Sequence, residues 1–399
     1  MEGLGRTRSA VHLWAYRMDS EETRISRSEL LGGARRIVVK LGSGVLAAPQ
    51  GGLDTDHIQA LADSFCRIRR EGRDLVLVSS GAIAAGTKKI GLRRRPTSIP
   101  EKQAAAAVGQ ARLMWVYERS FSKNGVKVAQ ILLTRDDLRH RRRFLNARNT
   151  LSTLIRWGIV PIVNENDSVV TEEIKFGDND LLSALVTSLV QAELLVMLTD
   201  IDGLFEADPK VHPDARRVPL IEDVDDRVLA AVEDTTSPMG TGGMASKLHA
   251  ARTAAVFGVA TVIATGKRPE VLEEILEGEE VGTLVLPKED RINSWKHWIA
   301  YSKTPSGSLV VDEGARRVIL EGGKSLLPSG ITDVVGDFGP GDSVSCVGED
   351  RAEFARGLVN YSSDEVRKIQ GKKTSEIEEV LGYRYYDEII HRDDLVILR

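Results

Sequence analysis

The stretch PIVNENDSVVTEEIKFGDNDLL, residues 161–182, holds two polar knots at the borders of apolar segments. The apolar run 159–163 reads as a buried strand and ends in Asn164, Glu165, Asn166 and Asp167. Further on, Asp178, Asn179 and Asp180 open a helix-like run. Six of these seven polar residues are Asn or Asp, which cap and turn chains, so either knot alone says little. Two knots at the edges of buried elements can line one cleft with carboxylates and amides. Such a cleft suits a small polar molecule held by its amine and its carboxylate.

Outward from this stretch, strands and helices alternate from residue 36. Apolar runs at 37–39, 75–78, 128–133, 159–163, 194–198 and 259–264 read as buried strands. Between them, Ile58, Leu61, Ala62, Phe65 and Ile68 recur at helical spacing after Asp54 and Thr55, candidate N-caps. Residues 101–123, 181–190 and 246–257 also read as helices. The alternation predicts an α/β three-layer sandwich on a mainly parallel central sheet. In such open sheets, ligands sit beyond the carboxyl ends of the strands. After Pro305 the pattern changes to short strands at 308–311, 331–335, 343–347, 355–361 and 395–398, separated by Gly-rich turns. The predicted organisation is an N-terminal extension over 1–33, expected to be disordered, a catalytic domain over 34–304, and a small C-terminal β-rich domain over 305–399.

Composition narrows the classes. With 399 residues, 42% hydrophobic, 28% charged and a net charge of −4, the chain can bury a large core and has no bulk attraction for nucleic acid. Cys66 and Cys346 stand far apart, without a CxxC or Cys/His partner, so neither a disulfide framework nor a zinc site is expected, and a reducing cytoplasm fits. No apolar run approaches a membrane span, which needs about 20 residues. Residues 306–399 hold 12 Lys and Arg against 18 Asp and Glu, which argues against RNA binding, although Arg367, Lys368, Lys372 and Lys373 form a local basic group.

Four further polar clusters fall at strand ends. Lys40-Leu41-Gly42-Ser43-Gly44 follows the first strand; its glycines let backbone N–H groups approach an anion, and the lysine adds a point charge. Ser79-Ser80-Gly81-Ala82 follows the second and resembles either a helix cap or an anion site. It is not GxSxG, and no paired His suggests a serine nucleophile. Thr199-Asp200 follows the fifth and reads either as a turn or as a contact to a nucleotide or its metal. Gly240-Thr241-Gly242-Gly243-Met244-Ala245-Ser246-Lys247 leads into a helix and is a candidate phosphate cradle, although its spacing is not that of a Walker A loop.

The order of these clusters resembles that of the glutamate 5-kinases, members of the amino-acid kinase family. The resemblance covers residues 36–399, and residues 306–382 are similar to the PUA domain that bacterial members append. It rests most on residues 163–167, 177–180 and 241–247. It implies ATP-dependent phosphorylation of the L-glutamate side-chain carboxylate at the start of proline biosynthesis. It assigns Lys40 and Lys247 to transition-state stabilisation and Asp180 to orienting them. Ser80, Gly81, Asp167 and Asn179 would bind glutamate, supported by Asn164 and Asp178. Gly42, Ser43, Gly44, Thr199, Asp200 and residues 241–247 (Thr241, Gly242, Gly243, Met244, Ala245, Ser246, Lys247) would take ATP together with Lys40. Mg2+ is expected mainly on the phosphates, with no dedicated protein ligands. The resemblance also implies proline feedback, a homo-oligomer (dimer or tetramer), and a separate glutamyl-phosphate reductase that takes the product. The alternatives are a sibling activity, such as acetylglutamate, aspartate or carbamate kinase, or an RNA-binding role for the C-terminal domain.

Overall fold

The computed structural model describes residues 27–94, 96–139, 141–169, 178–209, 211–233, 243–288 and 305–398. Residues 1–26, Gly177, Thr241 and Gly242 lie outside this set, as do residues 289–304, on which the expected domain border falls. The chain divides into two compact units, one with an eight-stranded sheet and one with a five-stranded sheet.

In the first unit the strands are β1 (Arg36–Leu41), β2 (Asp74–Ser79), β3 (Val128–Leu133), β4 (Val160–Glu165), β5 (Leu194–Thr199), β6 (Leu220–Ile221), β7 (Ala260–Thr265) and β8 (Thr283–Val285). They lie in the order β3-β4-β2-β1-β5-β7-β8-β6. Every pairing is parallel except β7 with β8. The central strands are aliphatic runs because both faces are covered, so neither face can be polar. Alternation along each strand sorts the side chains. Ile37, Val39 and Leu41 of β1 share a core with Phe65, Tyr117, Phe121 and Ile275 from the helices Thr55–Arg70, Ile99–Ser122 and Val271–Glu277. Val38 and Lys40 therefore point to the opposite face, where the helix Asp178–Val190 packs on β1 and the helix Met244–Val256 packs on it in turn. The same parity sends Ser79 of β2 and Asn164 of β4 toward the helix Ile99–Ser122.

That helix is held unusually close. A Cβ on Gly109 would lie 1.8 Å from the Ala82 carbonyl oxygen, and one on Gly86 would lie 1.8 Å from that of Ala105. Only glycine lets the helices Ala82–Ile90 and Ile99–Ser122 cross backbone to backbone. A capping box of Ser98 and Glu101 starts the longer helix.

Part of the segment assigned to the extension is folded into the first unit. Arg27–Gly32, assigned from the sequence to the extension, forms a helix with Leu31 fully buried, and Arg27 donates to the carbonyls of Val281 and Pro219. Two adjacent leucines, Leu30 and Leu31, in a six-residue segment give no helical periodicity to read.

The second unit pairs β9 (Gly307–Val311), β10 (Ile331–Gly336), β11 (Ser343–Val347), β12 (Glu353–Leu358) and β13 (Leu395–Ile397) in the order β10-β9-β11-β12-β13. Leu309, Val344, Cys346, Tyr361, Ile369 and Ile389 form its own core. The helix Glu313–Gly322, absent from the sequence reading, starts where Asp312 accepts the Ala315 N–H and ends at Gly323 in the left-handed region.

Candidate active site

The polar clusters meet at the carboxyl ends of β1, β2, β4 and β5. At their centre is Asp180, 1% exposed, in the first turn of the helix Asp178–Val190. Its carboxylate lies 2.5 Å from the Lys40 Nζ on one oxygen and 3.5 Å from the Lys247 Nζ on the other. Ser246 Oγ donates to the second oxygen at 2.5 Å. Lys40 comes from the end of β1 and Lys247 from the first turn of the helix Met244–Val256, and both are buried.

The electrostatics follow from two buried ammonium groups sharing one carboxylate. Burial pushes the Asp180 carboxyl up, but Lys40, Lys247 and the Ser246 hydroxyl together outweigh it and hold it below its ordinary value. Burial lowers the Lys247 ammonium, Asp180 opposes that shift, and Lys40 reinforces it. Two buried lysines thus share one buried carboxylate, and the charge of Asp200 also reaches Lys247. The two ammonium groups are placed to receive an anion.

The surrounding positions fit a polyphosphate. Gly42 is buried directly after β1, and its N–H donates to the Leu198 carbonyl at 3.0 Å. A Cβ there would lie 3.2 Å from the Leu198 carbonyl oxygen, a tight approach, and 3.7 Å from the Lys40 Nζ, an ordinary contact. Ser43 and Gly44 are exposed beside it, and a Gly44 Cβ would touch Asp200 at 3.5 Å. Thr199 Oγ1 donates to Asp200 at 3.1 Å, and the Asp200 charge reaches Lys247. Gly243, Met244 and Ala245 lead into Ser246 and Lys247 at the start of a helix, where free N–H groups favour negative charge. Among the described residues, no group of three or more His, Cys, Asp or Glu could hold a metal ion.

On the other side of Asp180 lies an amide network. Asn179 Nδ2 donates to Ser80 Oγ at 3.2 Å and to Asn164 Oδ1 at 3.1 Å. Asn164 Nδ2 donates in turn to Gln110 Oε1 at 2.8 Å. Two buried polar atoms at this network, Asn179 Oδ1 and Gln110 Nε2, have no hydrogen-bond partner among the described residues. One is an acceptor and the other a donor, and a buried polar atom without a partner costs about 1–3 kcal/mol. A polar ligand carrying both kinds of group would satisfy them. Gly81, at φ 97°, turns the chain from β2 into the next helix. Asp167 is half-buried in the turn after β4, and Asp178 opens its helix.

Ser80, Asn164, Asn179, Asp180, Lys40 and Lys247 are therefore brought into one site, with Gly42, Gly44, Thr199 and Asp200 beside the lysines. Gln110 was missed by the sequence reading. It sits in an Ala-rich helical run, where a glutamine reads as solvent-facing, and only the pairing with Asn164 reveals it.

A three-layer α/β unit with this buried lysine–aspartate–lysine centre belongs to a defined class: residues 35–265 match the amino acid kinase family, and the chain is a member of it. Residues 307–381 match the PUA domain. The chain is 54% identical over 372 residues to a Geobacter sulfurreducens protein named glutamate 5-kinase, covering 93% of this chain and all of that one. It is 53% identical over 372 residues to a glutamate 5-kinase of Pelobacter propionicus, with the same coverage. Among solved structures, the UMP kinase of Bacillus anthracis is similar at 17% identity and a TM-score of 0.45, over 64% of this chain and 97% of that one.

Proposed function

We propose that this chain transfers the γ-phosphoryl group of ATP to the side-chain carboxylate of L-glutamate, giving L-glutamyl 5-phosphate and ADP, the first step of proline biosynthesis. The observation that carries this reading is the junction at Asp180, where a cluster with two buried lysines abuts a network of amides and hydroxyls. Its relatives bear the matching name at 54% and 53% identity over their full length.

The chemistry needs little from the protein beyond placement and charge. The attacking carboxylate is already ionised at neutral pH, so no general base is required, in keeping with a site built without His or Cys. The obstacle is repulsion between two anions brought into line. Lys40 and Lys247 offset the charge spread over the transferring group, and the ionised Asp180 fixes their positions. Ser80, Gly81 and Asn179, with Asn164 and Asp178 behind them, hold glutamate, and Asp167 takes its α-ammonium, which rejects diacids lacking the amine. Gln110 joins this set because its Nε2 has no hydrogen-bond partner among the described residues. Gly42, Ser43, Gly44, Thr199, Asp200 and residues 241–247 receive ATP. Mg2+ bound to the phosphates supplies charge neutralisation, with phosphate oxygens and water as its main ligands.

The same reading makes the chain a homo-oligomer subject to proline feedback and hands its unstable acyl phosphate to a separate reductase. It places the catalytic domain before residue 305, with the helix Arg27–Gly32 as part of it, and the PUA-like domain at 305–399. The test is an ATP- and Mg2+-dependent assay in which hydroxylamine traps the acyl phosphate. L-Glutamate supports hydroxamate formation and proline suppresses it; turnover on N-acetylglutamate or aspartate in its place would sink the assignment.

A further inference from the structure

We infer that Tyr117 is a positioning residue for the acceptor site, acting through Ser79 on Ser80; the inference rests on the proposed function for what that site binds. Tyr117 is 2% exposed on the helix Ile99–Ser122, and its hydroxyl lies 2.8 Å from Ser79 Oγ, itself fully buried. Ser79 Oγ also lies 3.0 Å from the Ser80 carbonyl, to which it donates. A serine has one hydroxyl proton, so with that proton committed to Ser80, Tyr117 must be the donor to Ser79. Burial raises the Tyr117 phenol well above its ordinary value, which keeps that proton in place at any working pH.

The Ser80 peptide is thereby pinned on both sides. Its carbonyl is held by the Ser79 hydroxyl, and its N–H donates to the Leu41 carbonyl at 3.1 Å. Its side chain is then aimed at Asn179. From Asn179 the bonds continue to Asn164 and Gln110. Gln110 and Tyr117 are seven residues apart on one helix, two turns along the same face. The bonds form a ring: Tyr117, Ser79, Ser80, Asn179, Asn164, Gln110, closed through the helix. A buried tyrosine with a convenient hydroxyl partner would be ordinary core packing. Here the partner is adjacent to a substrate-contacting serine, and the helix that offers it also holds the opposite end of the same network. Rotating or sliding the helix would shift both ends of the pocket at once, and the glycine crossing with the helix Ala82–Ile90 resists that motion.

The experiment is steady-state kinetics on full-length Tyr117→Phe, Ser79→Ala and the double variant, with glutamate and ATP varied separately. Loss of one neutral hydrogen bond should raise the KM for glutamate about fivefold. The KM for ATP should hold and kcat should change by less than about twofold, because the lost contact serves substrate binding alone. The double variant should be no worse than either single one, as members of one chain of bonds are not additive. The rise in Tm produced by saturating glutamate should shrink in all three, a readout independent of turnover. If Tyr117→Phe does not fold, Ser79→Ala carries the test from the other end of the bond. An unchanged glutamate KM in the variants that fold, or equal rises for both substrates, overturns the inference. A wild-type protein that phosphorylates no glutamate overturns the functional reading and the inference with it.

Discussion

Asp180 is the residue on which both halves of the site depend. It is 1% exposed and sits between two lysines, so removing its charge strands two ammonium groups in a buried place. Asp180→Asn should cost about 3 kcal/mol of stability, the usual result of breaking a buried pair from one side. It should also lower kcat about 100-fold or more, since the lysines lose the partner that aims them. Thermal melts and turnover measured on the same preparation check both numbers. Lys247 gives a pH signature. Its folded-state value is lowered, so the free enzyme sheds the proton before an ordinary lysine does, and the stabilising charge goes with it. The alkaline limb of kcat/KM for ATP should therefore lie below the ordinary lysine value, and the limb of kcat should lie higher, because bound phosphate favours the ammonium. A pH–rate series compares the two. The stability effect has the opposite sense: between the lowered value and the ordinary one the unfolded chain holds more protons, so stability from this group rises with pH there.

At the scale of elements, the crossing of Ala82–Ile90 and Ile99–Ser122 governs the acceptor side. Gly109→Ala would drive a methyl to 1.8 Å from a carbonyl oxygen, and the helices must part. The expected cost is about 3 kcal/mol, at the upper end for overpacking, with a rise in glutamate KM because Gln110 moves with the helix. Chemical denaturation and glutamate titration report these separately. Much of this architecture was legible in the sequence. The strands 128–133 and 194–198 were apolar runs, and the polar knots at 164–167 and 178–180 marked where strands end and a helix begins. The site's charged residues were legible because lysine among glycines and aspartate at a helix start are locally conspicuous. Gln110, Tyr117 and the glycine pair were not, because each is an ordinary helical residue until a second element lies against it. The helix Arg27–Gly32 escaped for the same reason: its one buried leucine finds its place only in the folded unit.

At the scale of the molecule, every described residue of the site belongs to the first unit, and the second has its own core around Leu309, Cys346 and Ile389. A chain ended after residue 304 should keep the kinase reaction, and residues 305–399 alone should unfold in a single cooperative transition, as a separate core requires. Calorimetry of the fragment and an assay of the truncated enzyme test this. The acidic balance of residues 306–399 outweighs the local basic group at Arg367, Lys368, Lys372 and Lys373, so that fragment should not shift an RNA band at physiological salt. The account as a whole stands on one measurement: acyl phosphate formed from ATP and L-glutamate, trapped as the hydroxamate, by the wild-type chain and by Asp180→Asn. The account predicts glutamate-dependent hydroxamate from the wild type and almost none from the variant. Wild-type turnover that does not depend on glutamate, or a variant as active as the wild type, would contradict it.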